Sequence, residues 1–273
     1  MTGKDEYYNR AKQEGYRARS AYKLIQLDEA AGLIGPDDAV LDLGAAPGGW
    51  LQVARERTDG PVVGVDRQRI DPIDGVETIR GDVTEEGTKT AIRERLRGGD
   101  GESGDRGDHD ESGDAPGADR PVDVVLSDMA PNMTGEYSVD HARSVHLARQ
   151  AFEVALDLLA PGGDLAVKVF DGRDLDDLRE EIEREFEYVR TISPDASRDA
   201  SSEVYLVGKS RLTAPVREGE EIEVEIEDVG SEGDGVAKVE GFTLFVPGGE
   251  EGERLVVEVE EVKERFGFAR RIT

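Results

Sequence analysis

The stretch Val40-Leu41-Asp42-Leu43-Gly44-Ala45-Ala46-Pro47-Gly48-Gly49-Trp50 passes from a short apolar run, through a turn of small residues, into a helical pattern. A strand that turns tightly into a helix is the repeating unit of an α/β sheet. The small residues let the backbone approach a ligand, and the first N–H groups of the following helix have no partner within it, so they face an anion. The same rhythm continues outward. Apolar runs at Ala39 to Leu43, Val62 to Val65, Val76 to Ile79, Val122 to Leu126, Leu165 to Phe170, Tyr188 to Ile192 and Val204 to Val207 predict seven strands. Helices are predicted at Gly49 to Arg57, Glu85 to Leu96, Val139 to Leu159 and Leu175 to Phe186. Such alternation predicts a mostly parallel, Rossmann-like sheet covered on both faces. Only the turn Ser193-Pro194-Asp195 is evident between the last two strands, so they are expected to pair antiparallel. Before the first strand, Arg10 to Gly32 reads as a basic arm running into an amphipathic helix that Pro36 stops.

Two segments depart from this rhythm. Gly98 to Arg120 holds seven glycines and eight acids and no large apolar residue, so it is expected to be a disordered acidic insertion. After Arg211 the helical pattern ends. Short strands at Glu221 to Asp228, Val236 to Val239, Thr243 to Val246, Leu255 to Val262 and Phe266 to Arg271 predict a small all-β barrel of the oligonucleotide-binding kind. The expected domains are residues 1–212 and 213–273.

The 273 residues include 62 acids and 34 bases, a formal charge of −28. The acid is spread along the chain, as in a protein adapted to concentrated salt, where the Debye length shrinks to about 3 Å. The balance argues against simple electrostatic attraction to nucleic acid. There is no cysteine, which excludes disulfides, thiolate metal sites and cysteine nucleophiles. The opening Met1-Thr2-Gly3-Lys4-Asp5-Glu6 lacks the apolar core of a signal peptide, and no run approaches the ~20 apolar residues of a membrane span. The expectation is a cytoplasmic protein with no membrane partner, by default a monomer.

The loop around Gly44, Pro47 and Gly48 lacks the Gly-x-Gly-x-x-Gly spacing that seats a pyrophosphate. Asp66 ends the second strand, 22 positions after Gly44, where an acid accepts hydrogen bonds from ribose hydroxyls. Asp82, after the third strand, is placed to take an adenine amine. S-adenosylmethionine, with an adenosine and a carboxylate but no phosphate, fits this set. Trp50 opens the helix as a cofactor wall or as packing.

Ligands of open α/β sheets bind at the carboxyl ends of the strands. Asp128 ends the fourth strand, Lys168 lies near the end of the fifth, and Glu203 begins the last, which runs the other way. All three therefore face one crevice. A lysine between Val167 and Val169 inside a covered sheet needs a partner. As a proton acceptor it must be neutral, a state that a second cation favours and nearby carboxylates oppose. Lys23 is a candidate for that cation, with a solvated surface lysine as the alternative. Without cysteine, pyrimidine C5 methylation is excluded. Met129-Ala130-Pro131-Asn132 lacks the aromatic that stacks on a flipped base, so a hydroxyl is the better methyl acceptor. His141 and His146 lie five apart and His109 falls in the insertion; no metal is expected.

At these residues the chain resembles the FtsJ-like family of heat-shock ribosomal RNA methyltransferases. The resemblance spans nearly all of Lys4 to Ser210. It rests on Arg17-Ala18-Arg19-Ser20-Ala21-Tyr22-Lys23-Leu24, the Asp42 to Trp50 loop, Ser127-Asp128-Met129-Ala130-Pro131-Asn132-Met133-Thr134-Gly135, and Ser201-Ser202-Glu203-Val204-Tyr205-Leu206. It implies a class I methyltransferase fold and a catalytic tetrad of Lys23, Asp128, Lys168 and Glu203, with Lys168 as proton acceptor. It also implies S-adenosylmethionine contacts at Gly48, Trp50, Asp66, Asp82 and Asp128. The implied reaction is in-line transfer to the ribose 2′-oxygen of a uridine in the A-loop of 23S rRNA, within the large ribosomal subunit. Transfer RNA as substrate, or a non-catalytic ribosome assembly factor, are the alternatives. Gly233-Asp234-Gly235-Val236-Ala237 and Gly241 to Gly248 resemble a TRAM domain, an RNA-binding barrel, and the fusion points to archaea. From Thr213 onward the chain has 17 acids and 7 bases, unusual for an RNA binder. Phe242 and Phe245 are candidates to stack on bases or to fill the barrel core. The basic arm, with Lys4, Arg10, Lys12, Arg17, Arg19 and Lys23, is a candidate for phosphate contact.

Overall fold

The computed structural model describes residues 4–97, 122–197, 202–212, 214, 216–230, 233–239, 242–263 and 266–272, without the side chains of residues 4, 5 and 97. The acidic segment 98–120 lies outside the described residues. The chain divides into two compact units, one ending at Arg211 and one starting at Leu212.

The first unit is a seven-stranded sheet of β1 (Val40–Leu43), β2 (Val62–Asp66), β3 (Glu77–Arg80), β4 (Val122–Ser127), β5 (Leu159–Phe170), β6 (Phe186–Ile192) and β7 (Glu203–Arg211), in the order β3-β2-β1-β4-β5-β7-β6. Strands β3 to β5 in that order are parallel, while β7 is antiparallel to both β5 and β6. Every residue of β1 is buried, as a central strand covered on both faces requires. On one face α4 (Glu86–Arg97), α5 (Tyr137–Leu158) and α6 (Leu175–Glu183) enclose a core with Ile92, Phe152, Leu158 and Leu178. On the other, α2 (Ala21–Ala31) and α3 (Gly49–Arg57) enclose Leu24, Leu27, Trp50, Leu51, Leu126 and Tyr205.

The amino-terminal pattern is two helices. α1 (Lys4–Glu14) ends before Gly15, whose φ of 85° no continuing helix adopts, and α2 ends at Gly32, with φ 59° and a cap N–H bonded to the Asp28 carbonyl at 2.6 Å. The left-handed glycine stops α2 four residues before the expected Pro36. Among the described residues, no helix is long and apolar enough to cross a membrane.

The second unit is a closed barrel of β8 (Glu221–Val229), β9 (Asp234–Val239), β10 (Phe242–Pro247), β11 (Arg254–Val262) and β12 (Phe266–Arg271), in the order β10-β12-β11-β8-β9. Alternate residues point inward, and Val224, Ile226, Ala237, Phe242, Leu244, Val246, Val257 and Val259 form its core.

Candidate active site

The antiparallel register of β7 brings the predicted residues together. Glu203 pairs with Phe170 and Tyr205 with Lys168, so the start of β7 lies at the carboxyl end of β5, beside Asp128 after β4. Lys23 reaches the same point from α2. The Lys168 Nζ donates to the Asp128 carbonyl at 2.5 Å and to Asp128 Oδ1 at 2.9 Å. Lys23 Nζ lies 2.5 Å from Glu203 Oε1 and 3.9 Å from Asp128 Oδ1. Lys23 is only 8% exposed and Lys168 6%, so Lys23 is not the solvated lysine of the alternative reading. Two buried cations beside two carboxylates form a charge-balanced cluster, the condition under which such burial is tolerated.

Tyr205 was not singled out by sequence reading, yet its hydroxyl donates to Asp128 Oδ1 at 2.6 Å. Its ring packs against Trp50 with centroids 5.8 Å apart and lies 5.9 Å from Lys23 Nζ. The available signal was the strand period, because Tyr205 stands two residues after Glu203 and therefore on the same face. Burial, then the charges of Asp128 and Glu203, push its phenol well above the usual range, so it stays a hydrogen-bond donor. Burial also pushes the Glu203 carboxyl upward, but the charge and hydrogen bond of Lys23 outweigh it and the group sits below its ordinary value. Glu203 therefore adds stability above the ordinary carboxyl range, which is lost as pH falls through its lowered value.

Asp42 behaves in the opposite way. It is 1% exposed on β1, and its Oδ2 has no hydrogen-bond partner among the described residues. Burial first, then the charges of Asp128 and Asp66, push its carboxyl well above the usual range. The unfolded chain loses this proton near pH 3.9 while the fold retains it, so stability falls as pH rises through that interval. Asp42→Asn, which mimics the neutral acid, is expected to melt higher than the parent at neutral pH, with the gain vanishing towards about pH 4. Thermal unfolding across pH checks this; equal melting temperatures at every pH would mean that Asp42 ionises normally.

Beside the tetrad, the carboxyl ends of the parallel strands enclose a cleft of about 590 Å³ lined by Gly44, Asp66, Asp82, Asp128, Met129 and Gln150, among others. Asp128 belongs to both the cleft and the tetrad. The Asp66 oxygens accept the Ala46 N–H at 3.0 Å and the Gln68 N–H at 2.7 Å, and each oxygen has a further lone pair. The N–H and then the hydroxyl of Thr84, followed by the Arg67 guanidinium, hold the Asp82 carboxyl below its ordinary value. Gly44 has φ 76°, and a Cβ there would meet Met129 Cγ at 2.4 Å, so the turn requires glycine.

Pro47, Gly48 and Trp50 do not line this cleft. The Trp50 indole is 3% exposed and donates to the Ser20 carbonyl at 2.7 Å. Its side chain is packed in the core between α2 and α3. What residues 48–50 present is backbone: Gly48, φ 108°, precedes α3 as its N-cap and offers no side-chain cap, which leaves the first N–H groups of the helix without an intrahelical acceptor.

Two further groups shape the site. Asp140, at the start of α5, accepts the Thr134 N–H at 2.8 Å, the Thr134 hydroxyl at 2.8 Å and the Gly135 N–H at 3.0 Å, which anchors the loop after Asp128. Arg17 donates to the carbonyls of Pro47 at 3.2 Å, Asp71 at 2.6 Å and Pro72 at 2.6 Å, while Arg19 reaches the Ala196 carbonyl at 2.5 Å. Arg10 pairs with Glu14 at 2.8 Å and lies over the Tyr22 ring. Arg17 and Arg19 are thus bonded to backbone carbonyls of the fold, while Arg10 stays on the surface. Among the described residues, no group of three or more histidines and acids is arranged to hold a metal.

Residues 16–211 match the FtsJ-like methyltransferase family and residues 215–272 the TRAM domain. A protein of Natronomonas pharaonis named "Ribosomal RNA large subunit methyltransferase E" is 65% identical, with 98% of each chain covered. A protein of the same name from Haloarcula marismortui is 62% identical, again over 98% of both chains. The crystal structure of a putative ribosomal RNA methyltransferase from Plasmodium falciparum is 27% identical with a TM-score of 0.59, covering 72% of this chain and 98% of that one. Family match and fold agree, and the chain belongs to the FtsJ-like methyltransferases, with a TRAM domain at its carboxyl end.

Proposed function

We propose that the chain transfers a methyl group from S-adenosylmethionine to the ribose 2′-oxygen of a uridine in the A-loop of 23S rRNA, acting on the large ribosomal subunit as a cytoplasmic monomer. The observation that carries the reaction type is Lys168, buried at the strand ends with its Nζ bonded to both the carbonyl and the carboxylate of Asp128. The names of the haloarchaeal relatives support the substrate class.

The residues fit the cofactor. The cleft lies within the ~300–1,000 Å³ of small-molecule sites. Asp66 would accept the ribose hydroxyls and Asp82 the adenine amine, with Arg67 shifting aside, and the methionine carboxylate would reach beyond the cleft lining to the N–H groups at the start of α3. Bound there, S-adenosylmethionine supplies an electrophilic methyl group on a sulfonium.

The chain's own residues do the rest. A neutral lysine has two N–H groups and one lone pair. With both N–H groups held by Asp128, the Lys168 lone pair is directed to the remaining position, where it takes the proton of the 2′-hydroxyl. Tyr205, by donating to Asp128 Oδ1, holds that carboxylate in place beside Lys168. Lys23, held by Glu203, supplies the second positive charge.

Arg17 tests the cofactor part of this reading. Arg17→Ala removes three hydrogen bonds that hold Pro47 and the 71–72 segment. The expected result in calorimetry is S-adenosylmethionine binding about tenfold weaker, or about 1.4 kcal/mol, with the rate at saturation preserved. An unchanged affinity would remove Arg17 from this role.

The reaction itself is tested by transferring labelled methyl to unmodified large subunits at molar potassium chloride, then digesting with alkali, which does not cleave beside a 2′-O-methyl ribose. Label in an alkali-resistant dinucleotide is the expected result. Label in mononucleotides would mean base methylation, and label in transfer RNA but not in subunits would overturn the substrate.

A further inference from the structure

The end of β5 runs past the strand beside it. β4 stops at Ser127, opposite Val167, so Phe170 lies beyond the end of its parallel neighbour. Asp171 donates its N–H to the Ser202 carbonyl at 2.7 Å, and in an antiparallel pair successive residues point their N–H and carbonyl groups to opposite sides. The groups of Phe170 therefore face away from β7, toward the gap that β4 leaves. Backbone groups beside a core need a partner.

Helix α5 supplies it. Ser144 Oγ accepts the Phe170 N–H at 3.1 Å, and its own hydroxyl donates to the His141 carbonyl at 2.8 Å. His141 Nδ1 lies 3.0 Å from the Phe170 carbonyl oxygen, and its Nε2 accepts the Asp174 N–H at 3.2 Å. A carbonyl only accepts and an N–H only donates, which fixes the imidazole: Nδ1 carries the proton and Nε2 the lone pair. The Asp174 carboxylate stands 3.5 Å from the same Nε2, too long for a good hydrogen bond. One turn earlier on α5, the Tyr137 ring lies over the imidazole with the two planes 10° apart, and its hydroxyl donates to the Asp171 carbonyl. His141 and Ser144 are both buried. Gly172 closes over the ring, where a Cβ would meet His141 Cε1 and Nδ1 at 2.6 Å. All four backbone polar groups of Phe170 and Asp171 are thus held, three of them by α5.

We propose that His141, as the Nδ1–H tautomer, is a positioning residue for methyl transfer: by clasping Phe170 and Asp174 it fixes the end of β5 and with it the alignment of the tetrad. The inference rests on the reaction proposed above and adds how the strand that carries its proton acceptor is held. Lys168 stands two residues before Phe170, and Glu203 pairs directly with Phe170. A shift of the clasped turn would move both relative to Asp128 and Lys23, and a displacement of about 1 Å can lower a rate on the order of 100-fold. His141 does not line the cofactor cleft, so its loss should appear in turnover and not in cofactor affinity.

Two substitutions in the full chain divide the contacts of the ring. Asparagine places an amide N–H where Nδ1–H stands and keeps the bond to Phe170. Glutamine reaches the Nε2 position, keeps an acceptor for the Asp174 N–H and leaves the Phe170 carbonyl without its donor. Single-turnover transfer of labelled methyl to large subunits is measured beside cofactor affinity, melting temperature and amide hydrogen exchange at residues 170–174. His141→Gln is expected to be about 10- to 100-fold slower than the parent, while His141→Asn stays within about threefold. Cofactor affinity should be unchanged in both, with faster exchange at Phe170 and Asp171 in His141→Gln. Gly172→Ala, which displaces the ring, should be slow like His141→Gln. Parental turnover in His141→Gln overturns the proposal. Equal losses of rate in the two His141 variants, following a lowered melting temperature, also overturn it and would mean packing alone. Nitrogen-15 shifts of the ring that show a proton on Nε2 would overturn the tautomer and mean a pair with the Asp174 carboxylate. Faster exchange at Phe170 in His141→Gln, in a chain that transfers no methyl to ribosomal RNA, would leave the clasp standing and remove the proposed reaction.

Discussion

Lys168→Ala is expected to lower the turnover of methyl transfer by about 10³-fold, within the ~10²–10⁴ range for loss of a general base. Cofactor affinity should stay within about twofold of the parent by the same argument from geometry, since Lys168 does not line the cleft. The decisive comparison is Lys168→Arg. A guanidinium retains the positive charge and can donate to Asp128, but it cannot lose a proton in a protein. If Lys168 accepts the proton, arginine and alanine are both inactive. If it merely balances Asp128, arginine recovers most of the rate. Single-turnover transfer to large subunits, with cofactor binding measured separately, distinguishes the two. A Lys168→Arg enzyme with near-parental turnover would overturn the proton-acceptor assignment.

Asp128→Ala is expected to have the largest effect on stability. Its Oδ1 accepts from Lys168 at 2.9 Å and from Tyr205 at 2.6 Å and lies 3.9 Å from Lys23. Without it, Lys23 still has Glu203, but Lys168 is left as a buried cation beside a carbonyl alone. Removing one partner of a buried ion pair costs about 3–5 kcal/mol. At about 2–4 °C per kcal/mol for a unit of this size, the melting temperature should fall by roughly 6–20 °C. Asp128→Asn retains an acceptor oxygen and the side-chain volume, so its loss of stability should be smaller while its activity is equally absent. Thermal unfolding of the two variants beside the parent checks this. A fall of less than about 1 kcal/mol in Asp128→Ala would mean that the cluster is solvated, like a surface pair.

Much of this architecture is local and was legible in the chain. Alternation of apolar runs with helical periods is written residue by residue, so β1 to β7 and the barrel strands could be read without knowing what they touch. So could the glycine turn at Gly44, because φ above zero is a property of one residue. The tetrad was legible for a related reason: three of its members stand at strand ends, and sheet topology alone carries strand ends to a common edge.

Contacts between distant segments were not legible. Lys23 could be assigned from the chain only by family resemblance, because a helical lysine carries no mark of the carboxylate it meets 180 residues later. Trp50 and Arg17 were open to functional readings until the fold supplied Ser20, Tyr205 and the carbonyls of Pro47, Asp71 and Pro72. By itself, then, the sequence determined the order and kind of the elements, the glycine turns and the strand-end placement of Asp128, Lys168 and Glu203, all of which follow from local backbone preference and period. Only the tertiary structure decided which charges are buried together, that Tyr205 joins them, and that His141 meets the backbone of Phe170 and Asp174, because burial and pairing depend on neighbours that the fold brings from elsewhere in the chain.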